Sequence, residues 1–164
     1  MKYFTVNELC VSGSRPDLVE VPSKGSPIYN NIVFFIETFL DSVRQKLGKP
    51  IVVTSGYRPT ALNIAVGGSR TSNHTAGFAS DCHTGNNDTD NLLIVEAALE
   101  TGLDYDEIII EGARFDTKGN IVGCKWVHLA KKRVNNRRKF LWTSDMKTYH
   151  SVNAKKETKY RFSR

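Results

Sequence analysis

Apolar residues recur at intervals of three and four positions between Asn31 and Leu47. This spacing places them along one side of an α-helix. The members of this apolar stripe are Ile32, Phe35, Ile36, Phe39, Leu40, Val43 and Leu47. Gly48 comes next, and glycine is the residue that most often ends a helix. The pattern therefore predicts a helix over residues 31–47 that buries the stripe in a hydrophobic core.

Short β-branched runs, separated by glycine and proline, follow this helix. We predict strands over residues 50–55, 78–83, 106–111 and 121–129, and helices over 59–66 and 92–99. The first strand leads into a turn at Gly56. The last two strands are predicted to pair antiparallel as an extended hairpin that bends at Gly112 and Gly119. Near the start of the chain, Thr5 and Glu8 have the spacing of a capping box, which predicts one short helical turn.

Charge is distributed unevenly along the 164 residues. The chain has a net charge of +6, yet 12 of its 23 Lys and Arg and only two of its 17 Asp and Glu lie from Lys131 onward. Residues 1–130 therefore carry a net charge of −4. A chain of this length can form one domain with a real core. We predict one domain over residues 1–143 and a basic C-terminal tail over residues 144–164.

The N-terminus and the cysteines bear on where the protein resides. No apolar run approaches the roughly 18 to 20 residues that span a bilayer, and Met1 to Glu8 lacks the apolar centre of a signal peptide. Cys10, Cys82 and Cys124 are odd in number and widely spaced, which argues against a disulfide framework. We expect a soluble protein without a signal peptide that is synthesised in the cytoplasm.

Two histidines and one aspartate are candidate metal ligands. His74 precedes a glycine turn, Asp81 lies in the strand that follows, and His128 lies in the predicted strand over 121–129. If these two strands are neighbours in one sheet, the three side chains can meet. Imidazole and carboxylate are ordinary zinc ligands, and three protein ligands leave a fourth position for water. The pattern therefore suggests a zinc hydrolase.

The motifs around these residues resemble a known enzyme family. They are Leu40–Arg44, Ile51–Arg58, Leu62-Asn63, Val66–Gly68, Ser72–His74 with Gly77, Ala79 and Asp81, and Trp126–His128. Together they resemble the zinc D-Ala-D-Ala carboxypeptidase and L-Ala-D-Glu endopeptidase family, which cleaves peptidoglycan peptides. The chain is most similar to the short members found in phages and bacterial mobile elements.

The resemblance implies both a fold and a set of functional residues. The fold is α+β, hedgehog-like, with a small antiparallel sheet flanked by helices. His74, Asp81 and His128 are implied as ligands of Zn²⁺, and Arg58 and Ser72 as the groups that bind a carboxylate or carbonyl of the substrate. A guanidinium group pairs bidentately with a carboxylate, which agrees with this role for Arg58. The implied partner is a peptidoglycan stem peptide, cut at a bond involving a D-amino acid by an endolysin-like enzyme or a carboxypeptidase acting after lysis or export.

The general base departs from the family pattern. Many relatives carry a glutamate three residues before the last histidine, and this chain has Lys125 there. Protonated lysine cannot accept a proton. Glu111, at the end of the predicted strand over 106–111, is the nearest replacement, and we predict that it is the catalytic base.

Three alternatives remain open from the sequence. The fold could serve as a non-catalytic binding module, as in hedgehog-type signalling domains. Zinc could instead be held by Cys82, Cys124, His83 and His128, although regular strands would not bring these residues together. The basic C-terminal residues, with interleaved aromatic residues, could bind nucleic acid, an anionic wall polymer or a phage structural partner.

Overall fold

The computed structural model describes residues 1–85, 87–156 and 160–163. The helices are α1 (Pro27–Phe35), α2 (Asp41–Leu47), α3 (Thr60–Ala65) and α4 (Leu92–Glu100). The strands are β1 (Val52–Ser55), β2 (Ala79–His83), β3 (Glu107–Glu111), β4 (Arg114–Phe115), β5 (Ile121–Gly123), β6 (Trp126–Ala130), β7 (Lys139–Thr143), β8 (His150–Ser151), β9 (Asn153–Lys156) and β10 (Tyr160–Ser163). The fold is therefore α+β, as predicted.

Six strands form the central sheet, in the order β1-β2-β6-β3-β7-β8. All neighbouring pairs are antiparallel except β3 and β7, which are parallel. Alternation along the strands divides the sheet into two faces. One face is apolar and packs in the core; its members include Cys82, Ile108, Ile110, Val127 and Leu129. The opposite face carries Asp81, Glu111 and His128, so the candidate polar residues lie on one surface.

The predicted helix over 31–47 is longer than expected. It begins at Pro27, where the Ser26 hydroxyl accepts a hydrogen bond from the amide of Tyr29 at 3.3 Å. A π-helical segment at Ile36–Leu40 joins α1 to α2. Every residue of the apolar stripe is buried except Leu47, which is partly buried. The boundary was missed because serine followed by proline is a capping signal that lies outside the apolar repeat.

The predicted strand over 121–129 is in fact two strands. Only β6 pairs with β3, in a register that places Ile109 opposite His128 and Glu111 opposite Trp126. β5 pairs instead with β4 in a separate small hairpin. The bends at Gly112 and Gly119 are present, with φ of 64° and 80°. The extra hairpin accounts for the long spacing between Glu111 and His128.

The N-terminal segment is attached to β1. Thr5 and Glu8 form the predicted capping box, because each backbone amide donates to the other side chain, at 2.8 and 3.3 Å. The short 3₁₀ turn Asn7–Leu9 follows. Further along, the Gly13 amide donates to the Thr54 carbonyl at 3.1 Å, so this segment continues beside β1.

The described part of residues 144–164 contacts the rest of the fold. β8 joins the central sheet beside β7, and Phe162 is buried in the core. The predicted boundary between a domain over residues 1–143 and a tail over residues 144–164 stays a prediction. Residues 157–159 and 164 of the predicted tail, which include the basic residues Lys159 and Arg164, lie outside the described part. No helix in the described ranges is both long and apolar enough to cross a bilayer.

A buried carboxylate joins three parts of the fold. Asp106 has no solvent exposure and lies just before β3. Its oxygens accept hydrogen bonds from Asn73 Nδ2 at 2.8 Å and from Arg137 Nε at 3.1 Å, and Lys132 Nζ is 2.9 Å away. Burial opposes ionisation, but these donors outweigh it and hold the pKa of Asp106 well below its usual range.

We expect Asp106→Asn to lower the free energy of unfolding by about 2 kcal/mol at pH 7, because the substitution weakens the charge-assisted hydrogen bonds that the buried carboxylate accepts from Asn73, Arg137 and Lys132. The native carboxylate has a lowered pKa, so its contribution is present above the unfolded pKa of about 4 and is lost as the pH falls below it. Urea titrations of the wild-type protein and of the variant measure the free energy of unfolding at pH 7 and at pH 3. The control is Asp104→Asn, at an exposed carboxylate, with an expected change under about 1 kcal/mol. Equal losses of unfolding free energy for Asp106→Asn and Asp104→Asn at pH 7 would contradict the stabilising role assigned to Asp106.

Candidate metal centre

The three predicted ligands meet on the polar face of the sheet. Asp81 Oδ1 lies 2.9 Å from His128 Nδ1 and 3.2 Å from His74 Nε2, and the two imidazole nitrogens are 3.1 Å apart. All three residues are buried. The strand prediction explains this meeting, because β2 and β6 are neighbours and Asp81 is directly opposite His128.

His74 is held in place by the turn that carries it. The 3₁₀ turn Asn73–Ala76 ends at Gly77, whose φ is 75°. Ser72 caps this turn, since its hydroxyl accepts the His74 amide at 3.3 Å. The ring nitrogen Nδ1 lies 2.7 Å from the Gly56 carbonyl oxygen. A carbonyl can only accept, so Nδ1 is the protonated nitrogen, and the lone pair of Nε2 faces Asp81 and His128.

Gly56 approaches the N-terminal segment too closely for any side chain. A Cβ at this position would lie 2.0 Å from the Leu9 carbonyl oxygen. The neighbouring Tyr57 amide donates to that oxygen at 2.6 Å. Only glycine therefore allows the chain to pass here and direct its carbonyl at His74.

Arg58 contacts the second oxygen of Asp81. Its Nη2 forms an ion pair with Asp81 Oδ2, and its Nε donates to the Ser55 hydroxyl at 2.8 Å. The two oxygens of one carboxylate thus face different partners: histidines on one side and a guanidinium on the other. Arg58 and Ser72 both line the cavity in front of the histidines.

The geometry of the three residues fits a tetrahedral cation. Zinc bonds of 2.0–2.1 Å in a tetrahedron place neighbouring ligand atoms about 3.3 Å apart. The observed separations of 2.9–3.2 Å form a triangle of almost that size. Two nitrogens and one oxygen are a donor set that zinc accepts. In the described ranges, no other group of three His, Cys, Asp or Glu side chains converges in this way.

The charges of the buried ligands depend on one another. Burial lowers the pKa of His74, although the charge of Asp81 opposes the effect. Burial also opposes ionisation of Asp81, but the nearby histidines outweigh it and hold the pKa of that carboxyl well below its usual range. For His128, the hydrogen bond and charge of Asp81 outweigh burial and raise the pKa. Protons compete with a metal ion for His128, so metal affinity falls as the pH falls.

Glu111 faces the same cavity, whereas Lys125 is on the surface. Glu111 is only 7 % exposed, and burial raises its pKa to about 7, with the charge of Asp81 adding to the effect. Lys125 is exposed, and its side chain lies over Gly112 outside the cavity lining. The glutamate at the end of β3 is thus near the ligands, and the lysine three residues before His128 is directed away.

The residues of the alternative thiolate site do not come together. Cys82 and Cys124 are buried in the apolar core, and burial raises the pKa of the Cys124 thiol to about 12. His83 lies at the end of β2, where its Nδ1 accepts the Gly85 amide at 2.8 Å. Neither cysteine nor His83 lines the cavity.

Sequence reasoning missed the polar residues beside His128. Glu107 Oε2 lies 3.8 Å from His128 Nε2, a buried nitrogen without a hydrogen-bond partner in the described part of the chain. Glu107 also accepts Asn73 Nδ2 at 3.0 Å and pairs with Arg137 Nη2 at 3.0 Å. Glu107 could have been found from the sequence, because strand alternation places it on the same face as Glu111. No pattern distinguished Arg137, because it lies in a run of basic residues.

An open cavity of about 740 Å³ lies over the three ligands. Ser14, Val66 to Ser69 and Thr71 to Asn73 form part of its wall. The opposite wall comes from the C-terminal part of the chain and includes Arg137, Lys139, Leu141, Met146 and Tyr149. Burial raises the pKa of Tyr149, and the carboxylate of Glu111 adds to the effect. This volume lies within the range of about 300–1,000 Å³ that is typical of ligand-binding cavities.

Comparison with known proteins agrees with the ligand geometry. The family model described as peptidase M15 matches residues 2–130, which include all three candidate ligands and Glu111. No individual curated protein matches the chain. The matched region covers more than three quarters of the sequence. The chain therefore belongs to the peptidase M15 family of zinc metallopeptidases.

Proposed function

We propose that this protein is a zinc peptidase that hydrolyses peptide bonds involving D-amino acids in bacterial peptidoglycan stem peptides. The observation that carries the proposal is the buried triangle of His74, Asp81 and His128 with Glu111 in the same cavity. Family membership supports peptide hydrolysis, and the resemblance to wall-cleaving members supports the choice of substrate.

The three buried ligands are proposed to hold zinc through His74 Nε2, His128 Nδ1 and one oxygen of Asp81. Bound zinc would polarise a carbonyl group and lower the pKa of water. The Gly56 carbonyl fixes the tautomer of His74, and Arg58 keeps the second oxygen of Asp81 occupied. These contacts orient the ligands before the metal arrives.

Glu111 is proposed as the general base. Its carboxylate would take a proton from the attacking water as the water oxygen bonds to the carbonyl carbon. The same proton would then pass to the leaving nitrogen as the C–N bond breaks, which yields a free carboxylate and an amine. A pKa that burial raises toward neutrality suits both steps, because the group can accept and release a proton more readily near neutral pH.

Arg58 and Ser72 are proposed to bind the substrate. A guanidinium has five N–H donors, and the bonds to Asp81 and Ser55 use two of them. The remaining donors can contact a substrate carbonyl or carboxylate, since Arg58 lines the cavity. The Ser72 hydroxyl accepts the His74 amide and has its own O–H left to donate.

The biological setting is proposed from the same resemblance. An endolysin-like enzyme would reach the cell wall after lysis or export. The basic C-terminal residues would add affinity for an anionic wall polymer or a phage structural partner. Several of these residues also make internal contacts: the Arg133 guanidinium lies 4.5 Å from the Phe34 ring, and Lys131 Nζ donates to the Asp104 carbonyl at 3.0 Å.

We expect His74→Ala and Asp81→Ala to abolish zinc retention, because each removes one of three protein ligands. Metal analysis after gel filtration measures the zinc content, with about one equivalent expected for the unaltered protein. His83→Ala is the matched control and keeps its zinc. Retention of a full equivalent by His74→Ala would place the metal elsewhere.

We expect Glu111→Gln to keep its zinc and to lower kcat by roughly 10²–10⁴-fold, because the proton acceptor is lost. The carboxylate must be ionised to act, so activity rises with pH. The midpoint lies at or below about 7, because a bound cation lowers the pKa of a nearby carboxyl. Lys125→Gln is the control and leaves kcat unchanged. If Lys125→Gln were the inactive variant, the base would have been assigned wrongly.

Incubation of the purified zinc-loaded protein with peptidoglycan tests the function itself. We expect mass spectrometry to detect new amino groups on stem peptides, and the fragment masses identify the bond that is cut. Sacculi treated with His74→Ala protein give no fragments. If wild-type protein binds sacculi and releases nothing, the fold serves as a binding module instead.

A further inference from the structure

Part of the cavity wall lies outside the segment that the family model covers. The match ends at residue 130, whereas Lys139, Leu141, Met146 and Tyr149 all line the cavity. β7 brings the first two residues to the cavity because it pairs in parallel with β3. Strand β7 therefore contributes to the cavity from outside the matched region.

The added strand extends the floor of the cavity away from the ligands. Strand register places Asp81 opposite His128, His128 opposite Ile109, and Ile109 opposite Leu141. One continuous row of side chains thus runs from the ligands across β3 to β7. The part of this row beyond the ligands, Ile109 and Leu141, is apolar and can lie against the backbone of an extended peptide.

Lys139 is the cation in this wall without a counter-charge. Arg58 is paired with Asp81, and Arg137 is paired with Asp106 and Glu107. For Lys139, no carboxylate among the described residues lies within 4.0 Å of the ammonium group. Its neighbour across the strands, Glu107, is already bound by Arg137 and Asn73. The ammonium group is therefore available to a ligand.

Sheet geometry sets the distance from Lys139 to the ligands. His128 and Leu141 are two strand spacings apart across the sheet, and Lys139 lies two residues before Leu141 along β7. These two perpendicular displacements place the Cα atoms of His128 and Lys139 about 12 Å apart. An extended peptide covers about 3.3 Å per residue. This separation therefore corresponds to about three or four residues of substrate.

We propose that Lys139 is a specificity-determining residue that binds a second carboxylate of an anionic peptide, a few residues from the bond that is cut. The proposal rests on the proposed function for the identity of the peptide. Stem peptides suit it, because they carry carboxylates in addition to their C-terminus. The charge of Lys139, rather than its apolar stem, is the feature that discriminates.

The test measures peptide binding in a background that does not turn over. Zinc-loaded Glu111→Gln protein and the double variant Glu111→Gln with Lys139→Gln are titrated with stem peptides in which each free carboxylate is amidated in turn. We expect one particular amidation to raise the Kd of the Glu111→Gln protein about fivefold, as for an exposed ion pair. The same amidation has no effect once Lys139 is replaced, which a double-mutant cycle makes quantitative.

Two further variants sharpen the test. Lys139→Glu, in the Glu111→Gln background, is expected to reverse the preference, so that the amidated peptide binds more tightly. Lys118→Gln is the control, at an exposed lysine in the hairpin turn between β4 and β5, and keeps the preference of the parent protein.

The proposal is overturned if no amidation distinguishes the two proteins, or if neither protein binds any peptide of the series. It does not depend on turnover. A wild-type protein that showed the charge preference without cutting peptidoglycan would overturn the hydrolase assignment and leave the role of Lys139 supported.

Discussion

The site is organised around one buried carboxylate. Asp81 is buried on β2, an inner strand of the sheet, where an unpaired charge would be very costly. Its two oxygens have different partners: Oδ1 accepts from His128 Nδ1, and Oδ2 pairs with the guanidinium of Arg58. Three separate parts of the chain must therefore converge on the same side chain. Arg58 and His128 stabilise the carboxylate, whereas the lone pair of His74 Nε2 faces the same oxygen, an arrangement that a cation between them would stabilise.

A second buried carboxylate supports the first from behind. Asp106 ties Asn73, next to His74, to Arg137 in the C-terminal part of the chain. Glu107 completes the link, because it contacts Arg137 on one side and faces His128 on the other. The same residues that stabilise the fold thus surround the ligands. Rigidity of this kind suits a metal centre, whose ligands must be held before the metal binds.

Local patterns predicted most of the site because its key residues obey strand alternation. Asp81 and His128 were expected to meet if their strands were neighbours, and the sheet has that order. The start of the long helix and the division of residues 121–129 were predicted wrongly, since capping and strand pairing outweigh apolar repeats. Arg137 lies in a basic run of the sequence, and counting charges along that run cannot reveal its buried partner Asp106, 31 residues earlier.

The glycine at position 56 makes the first residues of the chain part of the active-site scaffold. Its backbone lies against Leu9 and its carbonyl orients an imidazole, so a shift of the N-terminal segment reaches the metal ligand through a single residue. Shortening this protein, or fusing another domain to its N-terminus, is therefore expected to displace His74 and to alter the candidate metal centre. Changes of specificity are better sought at the opposite wall, on β7, where side chains can be exchanged without disturbing that contact.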